Sequence, residues 1–273
     1  MIDTIYSSDA ELRHPGRFFA EAWDELRRSP AVAWRLFRSS VQARHRRAWL
    51  GYLWLLLPTL GTTGVWVYVR SRGLVETGAT GVPYVIYALG GTILWQVFAE
   101  SLVSPLQQLT ANRQLVTRSR VPHEALILAG VFETLLNCAV RLVVLGGAMM
   151  ATGVTAGREV VLVPVGIAAL VLLGLTLGLF AAPAGLLYDD VSRALTMIAG
   201  FWFFLTPVVY PAPSHGLLRF NPVTPLVETT RQWLTSGAPL GPFAAVTGGA
   251  AAALVVGWLL YRLARSHVVA RLG

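Results

Sequence analysis

Glu133, Asn137 and Arg141 recur every fourth residue inside an apolar run, so on a helix they share one face. Charges at membrane depth are costly, and they are usually paired or turned toward a cavity. Two arrangements satisfy that demand. One is a polar strip beside a path through the bilayer; the other is a structural ladder in which Asn137 bridges Glu133 and Arg141. Glu100 lies nearer the inner end of an earlier apolar run and is less demanding. A second candidate is Asp189-Asp190, which could hold a Mg²⁺-diphosphate group for a membrane-embedded enzyme acting on a polyprenyl-linked substrate. A second aspartate-rich motif is missing, and Arg193 offers those carboxylates a local salt bridge. The third candidate is aromatic. Phe201, Trp202, Phe203, Phe204 and Tyr210 could stack on sugar rings, or form an interfacial belt and pack against lipid.

Other chemistries are excluded or left without residues. The sequence has no GxSxG or HExxH, and His14, His45, His123, His215 and His267 fall outside the cores of the apolar runs. All 22 basic residues are arginine. A Walker A loop needs its lysine to reach the terminal phosphates, so this chain carries no conventional P-loop ATPase. Cys138 is the single cysteine, which excludes an intrachain disulfide. A net charge of +8 could suggest nucleic acid, but nine of the arginines precede Trp49 and most others sit between apolar runs. That distribution is an orientation signal, not a nucleic-acid-binding face.

The elements that must position these residues are membrane spans. At 55% hydrophobic, 13% charged and a mean hydropathy of +0.58, the chain departs from soluble composition. About 20 helical residues cross ~30 Å of hydrocarbon. Six segments qualify: Leu50–Val69, Tyr84–Leu106, Ala125–Met150, Val160–Leu187, Leu195–Tyr210 and Phe243–Leu263. Gly174 and Gly178 form a small-xxx-small packing signal in the fourth.

The junction from Arg44 to Pro58 sets the orientation. Arginines stop where the apolar run starts, with Trp49, Tyr52 and Trp54 at the seam. With the N-terminus cytoplasmic, 16 arginines fall inside: the nine before Trp49, then Arg113, Arg118, Arg120, Arg193, Arg262, Arg265 and Arg271. Five fall outside: Arg70, Arg72, Arg158, Arg219 and Arg231. Both termini are therefore expected in the cytoplasm. Acidic residues among the first arginines argue against a cleavable signal peptide. Before the first span, Val32, Leu36, Phe37 and Val41 sit at helical spacing within Pro30–Arg47, among Arg35, Arg38, Arg44 and Arg46. This predicts an amphipathic helix on the membrane surface, or one that binds a soluble partner. Between spans five and six, 211–241 is rich in proline yet apolar. Thr224-Pro225 is a candidate helix start. Two short helices are expected there, either re-entrant or lying on the outer surface.

The fold class is thus all-α integral membrane, in three regions: a cytoplasmic arm over 1–49, a six-span domain over 50–265 with an outer re-entrant segment over 211–241, and a tail over 266–273.

Four stretches then resemble the permease subunits of ABC-2-type exporters of polysaccharides and other lipid-linked glycans, such as O-antigen (the lipopolysaccharide side chain), capsule and teichoic acid. They are Arg46 to Trp54 ending at Pro58; Asn112 to Arg118 followed by Val121-Pro122; Leu205-Thr206-Pro207-Val208-Val209-Tyr210; and Asn221-Pro222 followed by Glu228 and Arg231. The resemblance covers roughly residues 30–265. The 113–120 loop departs from it by being free of lysine, where relatives often carry that residue.

The resemblance implies a non-enzymatic subunit of an ABC transporter in the cell membrane, which works as a homodimer with two copies of a separate ATPase. ATP and Mg²⁺ would be bound by that partner, with no cofactor or metal in this chain. Its partners are then the ATPase, a second copy, membrane lipids and the lipid-linked polysaccharide, with no nucleic acid. Asn112, Arg113, Arg118, Arg120 and Pro122 would take up force from the ATPase. Tyr52, Trp54, Glu133, Asn137, Arg141, Phe201, Phe204 and Tyr210 are candidates for the translocation path. Asn221, Pro222, Glu228 and Arg231 would mark the outer segment. A drug exporter of the same superfamily, or the polyprenyl-substrate enzyme, is the alternative.

Overall fold

The computed structural model describes residues 15–47, 53–74, 80–113, 115, 121–211, 220–235 and 240–272. Among them the regular structure is helical throughout: α1 (Pro15–Arg47), α2 (Leu53–Ser71), α3 (Tyr84–Ala111), α4 (His123–Thr152), a 3₁₀ turn (Arg158–Leu162), α5 (Val163–Leu187), α6 (Asp189–Leu205), α7 (Val223–Gln232) and α8 (Gly241–Leu272). Four of these are long and apolar enough to cross a bilayer: Tyr84–Ala111, His123–Thr152, Arg158–Leu187 and Gly241–Ala264. They coincide with four of the six expected spans. At the first expected span, α2 is a continuous helix that contains Pro58, Gly61, Thr62, Thr63 and Gly64, which dilute its hydropathy. At the fifth, α6 is only 17 residues and begins with Asp189 and Asp190.

α3 is the axis of the bundle. It is apolar all round and buried along most of its length, as such a helix must be. α5 lies against it in parallel, and the glycine pair is what lets them approach. A Cβ on Gly174 would sit 2.6 Å from the Phe98 carbonyl oxygen, and one on Gly178 would overlap the Leu102 carbonyl oxygen. α4, α2, α6 and α7 pack on the rest of α3, while α8 covers the far side of α5. At one end of the bundle, Arg70 of α2 stacks 4.3 Å over the Tyr84 ring.

Several boundaries differ from those read in the sequence. α1 begins at Pro15, well before the expected Pro30, and runs through that proline. Its apolar stripe is also used differently. Ala33 is fully buried against Ala125 and Ala129 of α4, with Val32, Leu36 and Phe37 packed around them. Small residues at the start of α4 let the arm dock closely, so the face expected to meet lipid or a partner meets the bundle instead. Among the described side chains of α1, the large apolar ones still exposed are Trp23, Leu26 and Trp34. α6 starts six residues before the expected Leu195 and stops at Leu205, because Pro207 cannot continue a helix. Short helix α7 starts at Val223, not at the expected Thr224-Pro225. Asn221 Oδ1 accepts the Val223 backbone N–H and so replaces the expected threonine cap. α8 continues past Leu263 into the tail, to Leu272.

Candidate functional site

α2, α3 and α6 splay around a cleft of about 540 Å³. Its walls are aromatic: Trp66 of α2, Trp95 of α3, and Phe203 and Phe204 of α6. Its polar groups come from Thr62, Thr92, Gln96 and Glu100. Thr59 donates to Gln96 Oε1 at 2.5 Å, which leaves the Gln96 amide nitrogen as the group's donor. Glu100 is held from behind by α4. Arg141 Nη2 donates to Glu100 Oε1, and Asn137 Nδ2 donates to Glu100 Oε2 at 3.1 Å. The Arg141 side chain is 4% exposed, whereas that of Glu100 is 28% exposed. The carboxylate is therefore what the cleft sees of this ion pair.

The four-residue series on α4 thus divides. Asn137 and Arg141 both turn to Glu100, and no Asn137 bridge to Glu133 forms. Glu133 lies 2.5 Å from Ser40 Oγ of α1 and accepts from Gln108 Nε2 of α3 at 3.1 Å, so it ties the arm to the bundle. From the sequence Glu100 reads as less demanding than the α4 series, and it is the residue on which Asn137 and Arg141 converge. The signal was there: Gln96 and Glu100 are one turn apart within an apolar run, and an arginine in another such run needed a counter-charge.

Of the aromatic candidates, Phe204 lines the cleft, and Phe201 and Trp54 are exposed on α6 and α2. Tyr52 lies outside the described residues. The Tyr210 hydroxyl donates to the Phe204 carbonyl at 2.7 Å. Asp189 and Asp190 are exposed, and Arg193 pairs with Asp190 at 3.2 Å in solvent. Among the described residues no group of three or more His, Cys, Asp or Glu side chains is placed to hold a metal.

The third and fourth sequence stretches interlock at one end of the bundle. Where α6 stops, the Thr206–Val209 backbone turns inward and buries. Asn221 clamps it, donating from Nδ2 to Leu205 O at 3.1 Å and to Thr206 Oγ1 at 2.8 Å, while Trp202 Nε1 donates to Asn221 Oδ1. Arg231 of α7 reaches under the same turn, donating to Pro207 O at 3.3 Å and Val208 O at 2.8 Å. Its guanidinium also stacks 3.7 Å over Tyr87. Pro222 is the N-cap of α7, and Glu228, on the same helix, is half-buried. Replacing Arg231 with Met would strip two buried carbonyls of their donor. A loss of about 2–4 kcal/mol is expected, read as a lowered Tm of the detergent-solubilised protein.

At the opposite end, α3 closes on Asn112, whose Nδ2 donates to Gln108 O, and Pro122 caps α4. Arg113 is described beside it, while Arg118 and Arg120 lie outside the described residues. Here the structure shows a junction that sequence spacing did not reveal. Arg262 of α8 donates to Glu124 Oε1 of α4 at 3.0 Å and to Glu25 Oε2 of α1 at 2.8 Å. Trp258 adds a donor to Glu124, and His123 Nδ1 meets the Tyr261 hydroxyl at 2.8 Å. One arginine thus joins the arm, the helix that follows the 112–122 loop, and the last helix.

No family model matches the chain. An O-antigen export system permease from Myxococcus xanthus is 27% identical over 203 residues, covering 71% of this chain and 76% of the relative. Two from Klebsiella pneumoniae are 20% and 19% identical over 204 residues, covering 72% of the chain and 77% of each relative. The chain is a homologue of O-antigen export permeases. That bears out the resemblance carried by the four stretches, and with the apolar helices it makes this a multi-pass membrane protein. Two features of the described residues stand out beside that likeness: the cleft along α2, α3 and α6, and the three-helix junction at Arg262.

Proposed function

We propose that this chain is the transmembrane permease subunit of an ABC exporter that moves a lipid-linked polysaccharide across the cytoplasmic membrane, driven by a separate ATPase. The observation that carries the reading is the match to O-antigen export permeases over about seven-tenths of the chain. The absence of a lysine that a Walker A loop would need agrees with a separate energy source.

In this reading α2 and α6 complete six spans, with both termini cytoplasmic, an orientation that the arginine distribution favours. The hook formed by Asn221, Arg231 and the Thr206–Val209 turn lies at the outer end, in place of an exposed surface helix. The arm, the 112–122 loop and the Glu25–Glu124–Arg262 junction lie at the inner end, where two ATPase copies would dock. Two permeases would meet through the apolar faces that α2 and α6 leave exposed, which carry Trp54, Leu57, Leu60, Tyr68, Phe201 and Phe204. Between the two copies, the clefts would line the polysaccharide route. ATP binding would bias the dimer between two arrangements through the junction.

The experiment is affinity purification of the full chain from its own cells in mild detergent. Recovery of a P-loop ATPase whose hydrolysis is vanadate-sensitive supports the reading. A chain that purifies without one, and shows transferase activity abolished by replacing Asp189 and Asp190, would replace it with the enzyme reading.

A further inference from the structure

We propose that the α2–α3–α6 cleft is a subsite for an uncharged, hydroxyl-rich sugar ring, and that Glu100 determines this specificity. The proposal rests on the reading of the chain as a polysaccharide permease and names the substrate class that its route favours.

Three features point to this ligand. Aromatic side chains from all three helices line the cleft: Trp66 on α2, Trp95 on α3, and Phe203 and Phe204 on α6. Sugar rings offer C–H faces to such side chains and hydroxyls around their rim. A cleft of this size, apolar with a few convergent polar groups, has the composition of a ligand site. The polar groups are also the right kind. Glu100 accepts, the Gln96 amide nitrogen donates, and Thr62 does either.

The ion pair behind the cleft is built unlike a purely structural one. Arg141 is almost fully buried yet bonds Glu100 through Nη2 alone; its Nε and Nη1 have no partner, and neither does Asn137 Oδ1. A pair whose only task was to hold α3 to α4 would be expected to satisfy those atoms, because half-satisfied polar networks destabilise an apolar core. Arg141 acts instead as a positioning residue. It holds the Glu100 carboxylate from behind and leaves it facing the cleft, where hydroxyls are the groups it can accept from. An acidic ring would set a second negative charge beside the carboxylate in a site with little water. Specificity would then come from repulsion as much as from attraction.

The test uses the full chain in lipid nanodiscs, titrated with a neutral hexose trisaccharide and with a uronic-acid trisaccharide of the same size, followed by tryptophan fluorescence. The neutral sugar is expected to bind at least tenfold more tightly than the acidic one. Glu100→Gln should weaken the neutral sugar about tenfold or more, since hydrogen bonds to charged groups exceed neutral ones by roughly that factor, and should narrow the discrimination. Because that variant leaves Arg141 buried without its counter-charge, Glu100→Gln/Arg141→Gln is the companion. It should restore the wild-type melting profile while binding stays weak. Wild-type affinity in the double variant would show the pair to be structural and overturn the proposal. So would equal binding of the two sugars, or a signal displaced by lipid alone. A deletion strain that still displays its surface polysaccharide would instead overturn the export reading itself, whatever the trisaccharides do.

Discussion

Arg262→Met is expected to lower the Tm of the solubilised protein by about 10 °C or more and to cut its yield sharply. The Arg262 and Glu124 side chains are 6% and 4% exposed, so their charges are tolerated only together. Removing one partner of a buried pair costs about 3–5 kcal/mol, because the remaining charge stays buried and uncompensated. For a chain of this length that corresponds to roughly 10 °C. Glu124 has little in reserve, since its Oε2 already has no partner. Two controls separate charge from shape. Arg262→Met/Glu124→Gln should recover much of the loss, because no charge is then stranded. Glu25→Gln should cost under about 1 kcal/mol, since Glu25 is 29% exposed and water substitutes for the lost bond. Differential scanning fluorimetry on the three variants gives the ranking. Equal effects from Glu25→Gln and Arg262→Met would contradict the account.

Gly178→Leu is expected to prevent assembly of the bundle. Any Cβ there overlaps the Leu102 carbonyl oxygen and comes within 3.1 Å of Pro105 Cδ. The obstacle is mainly backbone, which cannot change rotamer to make room. α3 and α5 would have to separate along the most tightly packed seam of the core. Overpacking a core costs about 1–3 kcal/mol even where side chains can adjust, so more is expected here. Loss of the monodisperse peak in gel filtration is the readout. Gly146→Leu on α4 is the matched control, because nothing lies within 4 Å of a Cβ at that position. It should elute like the parent.

Local pattern and long-range pairing were unequally legible in the sequence. The four apolar helices α3, α4, α5 and α8 were readable because each carries a membrane-length run whose composition settles its class. The glycine pair correctly announced close packing, although not its partner, since Phe98 and Leu102 lie more than 70 residues earlier. The bond from Glu124 to Arg262 spans 138 residues, and no local spacing predicts such a pairing. The same limit hid the partners of Glu100, which lie 37 and 41 residues away. The arm illustrates a different failure. Its stripe of Val32, Leu36 and Phe37 has the period of a surface-lying helix, but periodicity shows that a face will be buried and not against what. Interlocking of the Thr206–Val209 turn with Asn221 and Arg231 gives two of the four resembling stretches a shared physical reason. They are the two halves of one buried clamp.

The central claim is that this chain carries a lipid-linked polysaccharide across the membrane without making or modifying it. The direct measurement is the location of that polysaccharide in cells from which the chain alone has been deleted. The account predicts loss of the surface polysaccharide together with full-length, lipid-linked material accumulating on the cytoplasmic side. It also predicts that expression of the wild-type chain restores export. Unchanged surface display, or absence of the lipid-linked polymer from the cytoplasmic side, would contradict it.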